Sequence, residues 1–492
     1  MSDTEALMWQ VESDPWLNPS GGVLVFLDRP ADPDRFSALI AHAVSRIPRL
    51  FERVISPVGR LGNPEWVPDA EFDLGWHVRR VSLPLPGSDR QALDLATRLL
   101  EDPYDRSRPL WQFVLIEGLE GGRGAIFWKL HHCLMDGKAA IRLTELFSEL
   151  ERDAPPRPVV DLSVLIADAV KARAESSGSS TDTSSGMSDR IAAAIRGPFD
   201  VARRIAAEAM LTAADPSHVS DVGAKTMSGV GQIRGLLSTP EPAGSTLWSG
   251  RSRHRRAEVI SLPLDAVKAT AKALNGTVND VFVAGLVDGV IGFHERRDSA
   301  LDHLKFSFVV STRTDDAIGG NAFTPTLATC PVASTTPGER FDIVRDLMRR
   351  GKEAAGSGGD LMASAVGLAK LLPTSAVTSF ARKQASGVDF ATSNMRGAPV
   401  TVYIAGAKLE RNVTLGPVAG TAFNATALSI VNTLDIGLHL DSGAIDDPDG
   451  FRECVEAAYV SLLRRGGWAP PDNAGRAGPI ATNQRPRGKK RG

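Results

Sequence analysis

Cysteine is scarce in this sequence, and the cysteines that occur are widely separated. Cys133, Cys330 and Cys454 are the three among 492 residues, and their number is odd. A framework of disulfide bonds is thereby excluded, and a reducing compartment such as the cytoplasm is favoured.

An excess of charge of either sign is also missing. The chain has 56 basic and 58 acidic side chains, which gives a formal net charge of -2 at pH 7. Proteins that bind nucleic acids usually present a strong positive excess. The composition therefore gives no electrostatic reason to expect a nucleic-acid partner.

Long apolar runs are the third absence. No stretch of about 18 uninterrupted apolar residues occurs, so no membrane-spanning helix is predicted. The best candidates fail because 281–293 is short and contains Asp288, while 362–380 contains Lys370 and Pro373. The first residues, 1–5, are acidic and have no apolar core, so we expect no export.

The remaining composition is that of an ordinary globular protein. Hydrophobic residues make up 42% of the chain and charged residues 23%, and 492 residues are too many for one hydrophobic core. We predict four regions: an N-terminal lobe at 1–152, a linker at 153–247 with a Ser-rich mobile loop and helices, a C-terminal lobe at 248–468, and a disordered basic tail at 469–492.

Hydrophobic periodicity predicts both helices and strands in each lobe. In the first lobe the predicted strands are 22–27, 72–81 and 124–130, and the predicted helices are 34–45, 90–100 and 138–150. In the second lobe the predicted helices are 264–274, 277–293 and 449–465, and the predicted strands lie within 305–311, 400–405 and 427–440. Thr277 and Asp280 have the spacing of a capping box at the start of the second of these helices.

One segment carries most of the chemical information. The strand at 124–130 leads directly into His131 and His132, and Asp136 and Gly137 follow after three residues. Because side chains alternate along a strand, we expect the two imidazoles to face opposite sides. One can then face a cavity while the other is fixed inside the protein. We expect Gly137 to serve a turn, since glycine adopts backbone shapes that other residues resist.

This arrangement suits the removal of a proton from a hydroxyl. Neutral histidine is the natural base near pH 7, and an aspartate a few residues away can hold the loop that aims it. The residues alone leave other interpretations open. Buried histidines are often structural, adjacent histidines could contribute to a metal site, and Cys133 could be a nucleophile, although a packed and inert thiol is the favoured interpretation for it.

The pattern HHxxxDG resembles the signature of the CoA-dependent acyltransferase superfamily, which includes chloramphenicol acetyltransferase and peptide-synthetase condensation domains. Further segments narrow the resemblance: Arg108-Pro-Leu-Trp111, Ile116-Glu-Gly-Leu119, Asn279-Asp280, Ser393-Asn394 and Gly397-Ala-Pro399. In this order they resemble the bacterial wax ester synthase/diacylglycerol acyltransferase family. The resemblance extends from about Met8 to about Trp468, which is nearly the whole chain.

The resemblance implies an α/β (α+β) fold of two chloramphenicol-acetyltransferase-like lobes, with mixed sheets flanked by helices and an active-site channel between the lobes. It implies an O-acyltransferase that moves a long-chain acyl group from acyl-CoA to diacylglycerol. Acyl-CoA is then a co-substrate, and no cofactor and no metal are expected. The alternatives are a wax ester synthase that uses a long-chain fatty alcohol, a condensation domain, and a non-catalytic member that binds lipid or a partner.

The resemblance also assigns roles to residues. It implies that His132 is the general base and that His131, Asp136, Gly137 and Asn279 complete the catalytic set. The predicted substrate-binding residues are Trp111, Ser393 and Asn394, although Met395-Arg396 replaces the more apolar continuation of the family. Related acyltransferases pair the motif aspartate with an arginine, and Arg313 is the candidate here.

Lipid substrates imply a lipid surface as a partner. We expect a cytoplasmic protein that attaches peripherally to a membrane or a lipid droplet. The visible basic patches are Arg251, Arg253, Arg255 and Arg256 and the segment 485–491. Such patches attract anionic headgroups or phosphates, but a charged run is more often only a solvated face.

Overall fold

The structure is a computed structural model that describes residues 1–57, 63–178, 242–311, 323–357 and 374–469. Its strands are β1 Ser20–Leu27, β2 Glu52–Ile55, β3 Glu65–Pro68, β4 Val78–Ser82, β5 Trp111–Glu117, β6 Gly124–His131, β7 Arg255–Pro263, β8 His303–Ser311, β9 Phe323–Pro331, β10 Phe390–Arg396, β11 Tyr403–Ile404, β12 Ala407–Leu415, β13 Phe423–Ile430 and β14 Thr433–Asp441. Its helices are α1 Asp3–Val11, α2 Pro33–Arg46, α3 Leu74–His77, α4 Asp89–Glu101, α5 Gly137–Phe147, α6 Leu162–Gly178, α7 Leu264–Ala273, α8 Val278–Glu295, α9 Pro337–Ser357, α10 Thr374–Ser386 and α11 Pro448–Arg465.

Two mixed sheets organise the described residues. The N-terminal sheet has the strand order β11-β12-β1-β6-β5-β4, and the C-terminal sheet has the order β7-β14-β13-β10-β8-β9. Strand β4 runs parallel to β5, and β10 runs parallel to both β13 and β8, while the other pairs in these sheets are antiparallel. The predicted fold class, mixed sheets flanked by helices in two lobes, is confirmed.

Segments from the predicted C-terminal lobe and linker join the N-terminal lobe. Strand β12, which falls within the predicted C-terminal lobe, pairs with β1 from Gly22↔Leu415 to Leu27↔Leu409 and so extends the N-terminal sheet. Helix α6 falls within the predicted linker, yet its buried Ile166 packs into the N-terminal core. The Ser-rich loop was expected at 175–188, but its first residues, 175–178, belong to α6. The rest of that loop, the linker helices after it and the basic tail from residue 470 lie outside the described residues.

A glycine permits the crossing of β12 over the C-terminal sheet. Gly437 in β14 faces the backbone of Thr414 so closely that a Cβ atom at this position would overlap the carbonyl oxygen of Thr414. The contact joins the two sheets without any intervening side chain. Close backbone approach is a role that only glycine can fill.

An apolar cluster and a salt bridge complete the interface between the lobes. Ala257 and Val259 of β7 pack with Leu24 and Phe127 of the N-terminal sheet in one buried cluster. On α4, Arg90 donates from Nη1 to the Ala257 carbonyl oxygen at 2.8 Å and to the Glu258 carboxylate at 2.7 Å. The lobes are therefore fixed to each other on this side by packing and by a largely buried ion pair.

Most strongly periodic segments form the predicted elements. The helix predicted at 34–45 forms as α2, and it buries Phe36, Leu39, Ile40 and Val44, which have the i, i+3, i+4 spacing of one helix face. The capping box of α8 is also confirmed, because Thr277 and Asp280 each accept a hydrogen bond from the backbone N–H of the other. Local patterns of this kind depend on neighbours along the chain, so they are readable from the sequence.

Two predicted strands differ from the structure. The segment 72–81 was expected to be a strand, but Asp73 accepts from the backbone N–H of Gly75 at 2.9 Å and begins the helical turn α3, so only β4 is extended. The strand expected at 400–405 is shorter in the structure, where it forms β11.

One predicted helix is also shorter. The helix expected to reach residue 150 ends at Phe147, because Glu149 exchanges backbone hydrogen bonds with Tyr403.

Among the described residues, no single helix has the length and hydropathy of a membrane span. Helices α7 and α8 reach those values only when taken together, and they are bent by 93° with respect to each other.

Candidate active site

The end of β6 and the start of α5 are joined by a tight turn that His131 organises. Every residue of β6 is buried. The Nδ1 atom of His131 accepts a hydrogen bond from the backbone N–H of Cys133 at 3.0 Å, and its carbonyl oxygen accepts from Leu134 at 2.9 Å. On the strand side, the backbone N–H of His131 donates to Leu110 at 3.0 Å. One imidazole therefore holds the turn in which its neighbour lies.

His131 is enclosed by residues from the N-terminal lobe. Its side chain is fully buried, and its Nε2 atom lies 3.5 Å from a carboxylate oxygen of Glu12. The rings of Trp9 and Tyr104 approach it edge-on at 6.3 and 6.1 Å between centroids. Nothing in this setting admits a substrate, so His131 has the place of a structural histidine.

His132 has different surroundings. It is partly exposed and its ring lies beside the backbone of β1, where a Cβ atom on Gly21 would be 3.8 Å from Nε2 and 3.7 Å from the carbonyl oxygen of Leu415. Burial lowers the pKa of His132 to about 4, with a contribution from His131 and an opposing one from Asp136. The imidazole is therefore neutral at pH 7 and able to accept a proton.

Asp136 is the N-cap of α5. Its side chain is buried, and Oδ1 accepts a hydrogen bond from the backbone N–H of Ala139 at 2.9 Å. This contact satisfies one of the free N–H groups at the start of the helix and fixes the second end of the histidine turn. Arg313, the predicted partner of Asp136, lies outside the described residues, so that pairing stays a prediction.

Gly137 is needed for space rather than for an unusual backbone shape. It is the first residue of α5 and does not have a positive φ, so the expected turn conformation is wrong. A Cβ atom at this position would lie only 2.6 Å from Sδ of Met395. The motif glycine therefore lets β10 of the C-terminal sheet pack against the start of α5.

Replacing Gly137 by alanine is expected to lower activity about 10-fold or more, because the new methyl group pushes Met395 and the start of α5 apart, and a displacement of about 1 Å near a reacting centre is costly. The variant Met395→Ala removes the obstacle. We expect the double variant to recover most of the loss, measured as kcat/KM beside the melting temperature. If the double variant is as poor as Gly137→Ala alone, the crowding explanation fails.

The other predicted polar residues of the site meet at one end of β10. The side-chain amide of Asn394 donates to Oδ1 of Asn279 at 3.1 Å, which links β10 to the first turn of α8. Ser393 is opposite Thr426 of β13 in the parallel register. The structure thus brings Asn279, Ser393 and Asn394 to the strand that carries Met395 and touches the histidine motif.

Trp111 has a different place. It is buried, donates from Nε1 to the carbonyl oxygen of Leu50 at 2.7 Å, and stacks on His77 with centroids 4.3 Å apart. It belongs to the N-terminal core. Its predicted role in substrate binding is untested, and its visible role is to support the end of β5 beside the histidine motif.

Cys133 is a packed thiol. It is fully buried, and burial, with smaller contributions from Glu12 and Glu5, raises the pKa of its thiol well above the ordinary value. A thiol with a raised pKa is a poor nucleophile. Among the residues described by the structure, no group of three or more histidine, cysteine, aspartate or glutamate side chains could hold a metal ion.

The predicted basic patch is mostly used inside the protein. The side chain of Arg255 is 4% exposed and lies near Glu101 and Asp441, at 3.9 and 3.8 Å. Arg256 pairs with Glu258 and Asp449, and Arg251 donates to the carbonyl oxygens of Val388 and Asp389. Only Arg253 of the four is exposed. Three of the four arginines in the predicted patch are therefore engaged by groups within the protein.

Three histidines with low pKa values make the fold sensitive to acid. Burial lowers the pKa of His77, His132 and His439 to about 4 in each case. In the unfolded chain these groups take up protons near pH 6.5. The stability is thus complete above about pH 6.5 and is lost as the pH falls towards 4, by at most roughly 3 kcal/mol per histidine.

Denaturant unfolding at several pH values measures this loss. The variant His439→Gln removes one such group and should flatten the curve between pH 6.5 and 4, whereas the exposed His254 exchanged for glutamine should leave it unchanged. Equal slopes in the two variants would contradict the assignment.

Comparison with known proteins identifies the family to which the chain belongs. The family model of the wax ester synthase/diacylglycerol acyltransferase catalytic domain matches residues 1–282, and the model of the WS/DGAT C-terminal domain matches residues 319–462. The chain belongs to the wax ester synthase/diacylglycerol acyltransferase family. The prediction of an acyl-CoA-dependent O-acyltransferase is thereby confirmed, while the acceptor and the role of His132 are not addressed by the match.

Relatives in this family cover nearly the whole chain. A Mycobacterium tuberculosis protein that carries the name of a diacylglycerol O-acyltransferase is 29% identical over 473 residues, which are 96% of this chain and 93% of the relative. The O-acyltransferase WSD of Acinetobacter baylyi is 28% identical over 428 residues, with 85% and 87% covered. The wax ester synthase/diacylglycerol acyltransferase structure from Marinobacter aquaeolei VT8 shares the fold with a TM-score of 0.62, at 21% identity, over 94% of this chain and 99% of that one.

Sequence reasoning missed three residues of the site. Glu12, Gly21 and Met395 lie far from the motif in the chain and meet it only in the folded protein. The pair Gly21-Gly22 inside a strand pattern was a usable signal, since glycine in a strand often marks close approach of another group. Met395 stood out only as part of the Met395-Arg396 departure from the family pattern, and nothing in the local sequence distinguishes Glu12.

Proposed function

We propose that the protein transfers a long-chain acyl group from acyl-CoA to the free hydroxyl of diacylglycerol, with His132 as the general base. The observation that supports this most directly is the neutral imidazole of His132 at the end of β6, partly exposed and separated from the enclosed ring of His131. Acyl transfer to an alcohol needs one group that takes a proton and later returns it, and neutral histidine meets that need.

The reaction proceeds in two steps. His132 accepts the hydroxyl proton as the hydroxyl oxygen bonds to the thioester carbonyl carbon, which gives a tetrahedral intermediate with a negative oxygen. When this intermediate collapses, the carbon–sulfur bond breaks and His132 returns the proton to the sulfur of CoA. No covalent enzyme intermediate, metal or cofactor takes part, which agrees with the packed state of the Cys133 thiol.

The surrounding residues position this base. His131 and Asp136 hold the two ends of the turn, and Gly137 admits Met395 from the other lobe. Asn279 and Asn394 are hydrogen-bonded to each other, and we propose that an amide N–H group of this pair donates to the developing oxyanion or to the acceptor hydroxyl. A donor aimed at the oxyanion is worth about 10²–10³ in turnover in other enzymes.

A long-chain fatty alcohol is the second candidate acceptor, because the A. baylyi relative is an O-acyltransferase named WSD and the family name includes wax ester synthesis. Purified protein incubated with labelled palmitoyl-CoA and either dioleoylglycerol or hexadecanol separates the two. Triacylglycerol as the faster product supports the proposal, and wax ester as the faster product replaces it. The absence of both products would favour the non-catalytic interpretation.

We also propose that the protein is cytoplasmic and attaches peripherally to a lipid surface, where its proposed substrates reside. We expect the protein to float with vesicles that contain anionic lipid and dioleoylglycerol at low salt, and recovery in the soluble fraction would contradict peripheral attachment. Arg251, Arg255 and Arg256 are engaged internally. Arg253→Ala should therefore weaken vesicle binding more than the removal of a charge at any of those three positions in a variant that stays folded.

A further inference from the structure

The N-terminal helix ends with a carboxylate directed at the histidine motif. Helix α1 is held in place by Trp9, which donates from Nε1 to Ser56 at 3.0 Å, and by Arg106, which donates to the Trp9 carbonyl oxygen at 3.1 Å and covers the Trp9 ring. Glu12 follows as the C-cap residue of this helix. Its side chain is 13% exposed, so its carboxylate is presented to the interior in a fixed position.

The carboxylate of Glu12 is charged and lies near the edge of the His131 ring. Burial raises the pKa of Glu12, but the contact with His131 and the charges of His131, Arg106 and Lys129 outweigh it and lower the pKa. One oxygen is 3.5 Å from Nε2 of His131 and 3.7 Å from Nε of Arg106. The nearest partners of this carboxylate are therefore one ring nitrogen and one guanidinium.

The other nitrogen of His131 has a different partner. Nδ1 lies 3.0 Å from the backbone nitrogen of Cys133, which always carries a hydrogen, so Nδ1 is the acceptor as long as this hydrogen bond is made. A neutral imidazole then carries its hydrogen on Nε2, the atom that faces Glu12. The two contacts require the same tautomer, as is usual where a carboxylate orients a histidine.

We propose that Glu12 is a positioning residue for the acyl transfer: its carboxylate selects the Nε2–H tautomer of His131, and His131 in turn holds the Cys133 backbone and thereby the turn that places His132. This deepens the proposed function and rests on it, because the rate effect arises only if His132 is the base. The selection of the tautomer itself does not depend on any activity.

A merely structural role predicts a different outcome. Glu5 is a suitable control, because it is also a buried carboxylate of α1 and lies 3.5 Å from Arg49, while His131 is not its partner. Glu5→Ala should lower the melting temperature and leave kcat of the folded protein unchanged. Glu12→Ala should lower kcat about 10-fold or more with a smaller change in KM, and Glu12→Gln, whose amide oxygen still accepts a hydrogen bond, should recover part of it.

Asparagine at position 131 gives a second test. Its amide oxygen can accept from the Cys133 N–H at the place of Nδ1, and an amide has no tautomer to select. In the His131→Asn background the further change Glu12→Ala should therefore leave kcat unchanged. Additive losses in this double-mutant cycle would show that Glu12 acts by another route.

Nitrogen-15 NMR of protein with labelled histidine reports the tautomer independently of catalysis. We expect the Nε2–H form for His131 in the intact protein and a mixture of forms in Glu12→Ala. A pure Nε2–H form and wild-type kcat in Glu12→Ala would overturn the proposal. If the tautomer of His131 depends on Glu12 but the protein forms no ester, only the proposed function would be refuted.

Discussion

Replacing His132 by alanine is expected to lower kcat by about 10²–10⁴-fold while the protein stays folded, because general-base assistance is lost and no other described group is placed to supply it. The measurement is the rate of ester formation from labelled acyl-CoA, together with circular dichroism and the melting temperature.

The exposed His254 exchanged for alanine is the matched control and should retain wild-type kcat. Because the pKa of His132 is lowered to about 4, its neutral and active form predominates from about pH 5 upward. We therefore expect kcat/KM to fall only as the pH approaches 4, within the range that the protein tolerates. A folded and fully active His132→Ala protein would transfer the role of base to another residue.

The second large effect is expected at Gly437, where alanine should lower the free energy of unfolding by about 3 kcal/mol, since a buried methyl group has to displace the main chain of β12 rather than a flexible side chain. The overlap with the Thr414 carbonyl leaves no room for a rotamer change. Chemical denaturation of the purified variant measures the loss.

Gly292 in α8 provides the control for this substitution. A Cβ atom there meets nothing within 4 Å, and the residue lies inside a helix. Alanine at position 292 should raise stability by roughly 0.5–1 kcal/mol through helix propensity. If Gly437→Ala has the same free energy of unfolding as the parent, the two sheets can move apart at this position at no cost in stability. That result would contradict a direct backbone contact between them.

The sequence allowed good prediction wherever structure depends on near neighbours. The apolar stripe of α2, the capping box of α8 and the strand that ends at His131 are all confirmed, since each is encoded within a few residues. Seven strands, β2, β3, β5, β7, β9, β10 and β12, were not predicted. Pairing of distant strands leaves little trace in either strand alone, because burial and hydrogen bonding depend on the partner.

The candidate site shows the same division. The positions of His131, His132 and Asp136 follow from one short motif. The two rings have separate surroundings as expected, but the reason is the turn that begins after His131 and not alternation along β6. The reason for Gly137 was not readable, because the obstacle is Met395 from the other sheet. Glu12 was not predicted as a site residue for a similar reason, since no spacing rule connects the end of α1 with the end of β6.

The addition of β12 to the N-terminal sheet has a consequence for synthesis on the ribosome. Strand β1 lies between β12 and β6, so the edge of β1 stays unpaired until residue 415 has emerged. An unpaired edge strand is a template for association with other chains. The first half should therefore need shielding by chaperones during translation, and a fragment of residues 1–178 expressed alone should aggregate unless a second fragment that contains β12 is supplied in the same cell.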